Sequence, residues 1–111
     1  MKRRGWGAAR STSYNGVTYA SKAEARYAMK LAALKKAGKI AWWSSHPRVG
    51  LMVNEVLVCV IIHDFRVHLP NGTFEFHEVK GHQTAVWKLK RKLFEALNPG
   101  TKYVVIPARD V

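Results

Sequence analysis

The chain has 111 residues, enough for one domain around a single core and too few for two. Nearly half of it is hydrophobic, so it folds, and its 19 Lys and Arg against 7 Asp and Glu point to a polyanionic partner, nucleic acid first. Cys59 is the only cysteine, which excludes a disulfide framework and suits a reducing, cytoplasmic setting as a buried inert thiol. The most apolar stretch, Leu51 to Ile62, is interrupted by Asn54 and Glu55 and falls short of the ~20 residues a membrane span needs. No apolar region follows Lys2, Arg3 and Arg4, so the start does not read as a secretory signal.

Residues 1–13 are basic and aperiodic, an expected flexible arm whose Lys2, Arg3, Arg4 and Arg10 suit a phosphate backbone. One domain then fills 14–111. Tyr14 to Tyr19 reads as a small hairpin on Asn15-Gly16, and Ser21 opens a helix that runs to about Ala37 and closes at Gly38. A short extended piece, Ile40 to Trp43, leads to strands over about Val49–Val53, Val56–His68 and Thr73–Lys80. A second helix spans roughly Thr84–Leu97, and Lys102–Ile106 forms a last strand. The order is helix, three strands, helix, strand, an α/β domain.

Asp64 and Glu78 lie in neighbouring strands joined at Pro70-Asn71-Gly72, and the loop decides whether they meet. A two-residue turn would put them on opposite faces, whereas a three-residue loop sets Asp64 opposite Glu78. Pro70 suits the first central position of a type I turn, Asn71 the second, and Gly72 the left-handed residue of a G1 bulge, so the three-residue loop is expected. In that register Lys80 shares the acids' face, opposite Ile62, while His63 and His77 take the other face. Helix periodicity puts Glu24 in the stripe of Ala20, Tyr27, Ala28, Leu31 and Leu34 that should meet the sheet. Ser21-Lys-Ala-Glu24 is also a capping box, which gives Glu24 a purely local alternative.

Carboxylates converging in so basic a chain suit a divalent ion acting on phosphodiesters. Mg²⁺ binds through one or two carboxylates plus substrate phosphate, so Asp64 and Glu78 suffice, with Glu24 and the Val79 carbonyl as further ligands. Lys80 would orient water and offset developing charge. The competing account is a structural Glu78–Lys80 ion pair. Lys22 on the first helix, and Gln83, Lys88, Arg91 and Lys92 at the second, are the candidate DNA contacts; Val86, Leu89, Leu93 and Leu97 are the second helix's expected buried side. His46, His63, His68, His77 and His82 lack zinc spacing. Trp6, Trp42, Trp43 and Trp87 could stack on bases, although core or interface roles are commoner; Trp42 and Trp43 cannot both point inward.

Three segments, Tyr14 to Glu24, Ile62-His63-Asp64-Phe65 and Glu78-Val79-Lys80-Gly81, with the basic helix Lys88 to Lys92, resemble the PD-(D/E)XK nuclease superfamily, most closely small phage Holliday-junction resolvases. The resemblance covers about residues 14–107. It implies a restriction-endonuclease-like core, order α-β-β-β-α-β, with a mixed central sheet flanked by helices. Glu24, Asp64 and Glu78 would be metal ligands and Lys80 the catalytic lysine, with Mg²⁺ or Mn²⁺ as cofactor. A homodimer acting on four-way junctions in a cytoplasm (the host's, if phage-encoded) is also implied. His63 stands where the family's name-giving proline would be. Two other outcomes fit the same residues: a DNA-binding protein that does not cut, and a nuclease of this core acting on linear or nicked duplex.

Overall fold

The computed structural model describes residues 11–81 and 83–111. The basic run Lys2, Arg3, Arg4 and Arg10, together with Trp6 and His82, lies outside them. The domain is α/β, with a mixed four-stranded sheet and two helices. In chain order the elements are β1 (Thr12–Tyr14), β2 (Val17–Tyr19), α1 (Lys22–Lys36), β3 (Trp42–Ser45), β4 (Arg48–Val53), β5 (Val56–Ile62), β6 (Phe65–His68), β7 (Phe74–Lys80), α2 (Ala85–Leu97), β8 (Lys102–Pro107) and a 3-10 turn, Ala108–Asp110. Among the described residues, no helix is long and apolar enough to cross a membrane.

The central sheet runs β3-β6-β7-β8, antiparallel except for the parallel β7–β8 pair that α2 connects. Its two faces carry separate cores. Phe65, Val67 and Val79 pack under Tyr27, Ala28 and Leu31 of α1, while Phe76 meets Phe94 of α2 with Leu51 and Ile61. The β6–β7 loop has three residues, as its chemistry demands. Leu69 and Thr73 are joined by a 2.8 Å backbone hydrogen bond, and Gly72 takes φ 91°, a region that L side chains avoid. Thr84 caps α2 by accepting the Trp87 N–H at 3.1 Å.

Three expectations need correction. The strand expected over Val56–His68 is two, because the β3–β6 ribbon bends out of the sheet and continues as β4–β5. His46 N–H to the Asp64 carbonyl (2.9 Å) and His63 N–H to the Pro47 carbonyl (3.0 Å) carry one register through the bend. The cause is local: His46 sits at φ 56° and Pro47 has no N–H to give the ladder. Consequently β3, not the strand around Val49–Val53, is the edge of the central sheet, and Ile62 pairs with Arg48 rather than facing Lys80.

The second correction concerns α2. Val86 and Leu89 are 64% and 69% exposed, and Phe94 is its buried residue. The helix instead turns Trp87, Lys90 and Arg91 partly inward, with the Lys90 ammonium donating to the Val60 carbonyl at 3.1 Å. Third, Cys59 is half-buried rather than buried, and free.

Candidate functional site

The acid cluster sits where the ribbon bends. Because β6 and β7 hold Phe65 opposite His77, the next residues outward, Asp64 and Glu78, face each other. Each carboxylate accepts the other strand's backbone N–H: Glu78 Oε1 takes Asp64 N–H at 2.9 Å, and Asp64 Oδ2 takes Val79 N–H at 2.8 Å. Bonds of this kind fix both carboxyl groups more firmly than packing alone. Lys80 Nζ lies 3.5 Å from Glu78 Oε2 and 4.9 Å from the centroid of the Trp87 ring. Lys80 thus joins the acids without Ile62 opposite it.

Glu24 arrives from the first turn of α1 and is buried. Only half of the capping box forms. Ser21 Oγ accepts the Glu24 N–H at 3.1 Å, while the Glu24 carboxylate lies 3.9 Å from His46 Nε2 and close enough to Asp64 to influence its charge. Three of the chain's seven acids therefore share one small volume.

That crowding has an electrostatic cost. Burial, and then the negative charges of Glu78 and Glu24, push the Asp64 carboxyl up to about 8, against the opposing Val79 N–H and Lys80. Burial also raises Glu24, helped by Glu78 and opposed by His46, Lys80 and the Ala20 amide. Glu78 itself is completely buried, and its Oε2 accepts no hydrogen bond. The cation nearest that oxygen is the Lys80 ammonium at 3.5 Å, an ion pair without a formed hydrogen bond. Among the described residues, no group of three or more His, Cys, Asp and Glu is arranged to hold a metal ion. One oxygen each of Asp64 and Glu78 is tied to a backbone N–H. The donor set is nonetheless all carboxylate oxygen, the set that hard ions such as Mg²⁺ or Mn²⁺ prefer.

Of the predicted DNA contacts, Lys22, Gln83, Lys88 and Lys92 are exposed. Arg91 turns inward, its Nε 3.5 Å from Glu95 Oε1 and its guanidinium 4.8 Å from the centre of the Tyr103 ring. Val79 enters the site through its N–H. His77 does lie on the other face, its Nδ1 2.6 Å from the Tyr27 hydroxyl. His63 does not: the bend swings it to Glu78, Nδ1 to Oε1 3.6 Å, with the Tyr103 hydroxyl 3.1 Å from the same nitrogen. His63, Tyr103, His46 and Trp87 are site neighbours that strand alternation missed. For His63 and His46 the available signal was Pro47, which marks where the alternation breaks.

The family model described as "Protein of unknown function (DUF1064)" matches residues 4–106. The chain belongs to this family. No curated protein and no solved structure gives a match. In this DUF1064 member the matched span contains all four residues of the cluster, Glu24, Asp64, Glu78 and Lys80.

Proposed function

We propose that the protein is a metal-dependent, structure-selective DNA endonuclease that resolves four-way junctions. One observation carries this: half-buried Asp64 and fully buried Glu78 bond each other's strands beside Lys80, in a chain of net charge +12. A structural ion pair needs one acid, and two more beside it are destabilising unless positive charge enters. The strand order β3-β6-β7-β8, with α1 before it and α2 bridging the parallel pair, supports the restriction-endonuclease-like order α-β-β-β-α-β once β4–β5 is read as an extension of the β3–β6 ribbon.

Asp64 and Glu78 would hold Mg²⁺ or Mn²⁺, with Glu24 and the Val79 carbonyl completing the ligands. Such an ion, when bound, supplies an activated water and spreads charge on the phosphate. Asp64 keeps a proton near neutral pH and releases it when positive charge enters the cluster. Lys80, held between Glu78 and the Trp87 ring, directs its ammonium at the charge that develops on the phosphate. Exposed Lys22, Lys88 and Lys92 hold the DNA backbone.

A homodimer is part of this proposal. Met52, Val53, Val56, Leu57, Val58 and Ile62 of the outer hairpin are 39–62% exposed, and no Lys or Arg occurs between Arg48 and Arg66. An apolar face without Lys or Arg is where two strongly basic copies can meet.

The test is a synthetic four-way junction incubated with Mg²⁺ and either wild type or Glu78→Gln. Wild type is expected to cut and Glu78→Gln to bind without cutting. Binding by both without cutting would leave a DNA-binding protein, and preference for an equal-length duplex in competition would leave a duplex nuclease.

A further inference from the structure

At the far end of the sheet from the acids, three rings stand in a row across the strands. Trp42 pairs with His68, and His68 with Phe74, so all three project from one face. The Trp42 and His68 rings stack with centroids 3.7 Å apart and planes 7° from parallel, and Phe74 follows at 5.6 Å. The Arg66 guanidinium lies 5.4 Å from the centre of the Phe74 ring. Trp43 turns the other way into the α1 core, so the fold already has its tryptophan from this strand. Trp42 and Phe74 remain 47% and 45% exposed.

Charge gathers at the same end. The end of α1 and the turn into β3 carry Lys35, Lys36 and Lys39, all exposed, and the Ala41 N–H of that turn donates to the His68 carbonyl at 2.7 Å. No Asp or Glu occurs between Glu24 and Glu55. Flat rings and cations, which this end of the sheet carries together, are the two components from which single-strand binding surfaces are built.

We propose that this end of the sheet is a second nucleic-acid contact, where an unpaired base stacks on Trp42 while Lys35, Lys36 and Lys39 hold the flanking phosphates. This deepens the nuclease reading and rests on it, because it says which part of a branched substrate is recognised apart from the cut. Two alternating rows along β6 separate Trp42's partner His68 from Asp64, about 13 Å. That is about four base steps of a stacked strand, so a short unpaired stretch beside the cleavage point has the reach.

The experiment titrates wild type, Trp42→Ala and Trp42→Phe against fluorescein-labelled oligo(dT) and against a fully paired duplex of equal length, in EDTA. Trp42→Ala is expected to bind the single strand about tenfold more weakly and the duplex within about twofold, with Trp42→Phe close to wild type. Replacing Lys35, Lys36 and Lys39 together by Ala should lower the salt slope of single-strand binding by about 2. Unchanged single-strand binding by Trp42→Ala, with wild type still binding here and cutting the four-way junction in Mg²⁺, overturns this contact alone. Failure of wild type to bind either DNA overturns the nuclease reading with it. A fall in solution mass of Trp42→Ala, by sedimentation, would give the rings to a second copy of the chain and also overturn the proposal.

Discussion

The bend of the ribbon and the tip of the outer hairpin belong to one continuous antiparallel pairing, yet they reverse the usual placement of groups. At the bend, Glu24, His63 and Glu78 are buried; at the tip, Val56, Leu57 and Val58 stand in solvent. Folding alone favours the opposite in both places, since buried charges need partners and apolar surface wants cover. The two anomalies differ in kind. Asp64 and Glu78 are held by named backbone N–H groups at 2.8–2.9 Å, whereas Val56, Leu57 and Val58 at the tip stay 55–62% exposed. Buried, tethered acids and exposed apolar side chains are the two features on which the proposed cleavage and the proposed dimer rest.

The largest effects should come from the bend. Asp64→Asn and Lys80→Ala are each expected to lower junction cleavage at least ~10³-fold, while leaving junction binding within about twofold and circular dichroism unchanged. Loss of helical signal in both would return the cluster to a structural role. The same residues set a pH dependence. Asp64's folded pKa of about 8 lies above its ordinary value, so the folded state binds the extra proton, and the stability this gives is present below about pH 4 and lost as pH rises to about 8. Glu24, raised in the same direction, adds to that fall. The metal-free Tm should therefore decline across that window, Asp64→Asn should flatten the decline, and Mg²⁺ at pH 8 should restore Tm. An equal decline in the variant would show that Asp64 is not its source.

Smaller effects test what surrounds the bend. Gly72→Ala forces an L side chain to φ 91° and should cost about 1 kcal/mol in urea unfolding, with the cleavage rate falling if the Asp64–Glu78 register slips. Leu57→Lys at the tip should change stability by less than about 0.5 kcal/mol, yet halve the solution mass in light scattering. Unchanged mass would remove the tip as an interface.

What could be read from the sequence follows how local each determinant is. The β6–β7 register was legible because Pro70, Asn71 and Gly72 specify their own loop, and from it the meeting of Asp64 and Glu78 followed. Glu24's burial was legible from helix periodicity. The bend was not, since Val56 to His68 reads as one apolar run and its interruption comes from His46 and Pro47 on the partner strand. Nor was the rotation of α2. Val86, Leu89, Leu93 and Leu97 do form a stripe, but Phe94 finds Phe76 and Tyr103, and Arg91 and Lys80 settle on Trp87. Tertiary partners outweighed the helix's own pattern.

The bend also has a mechanical consequence. Asp64 offers its carbonyl to His46, its N–H to Glu78 and its carboxylate to Val79, while its neighbour His63 is fastened to Pro47. The outer hairpin is therefore anchored twice, at the bend through Asp64 and His63 and along its length where Leu51 and Ile61 meet Phe94 and Lys90 reaches the Val60 carbonyl. A load applied at Leu57 and Val58 would be carried by the strand that ends at the acid.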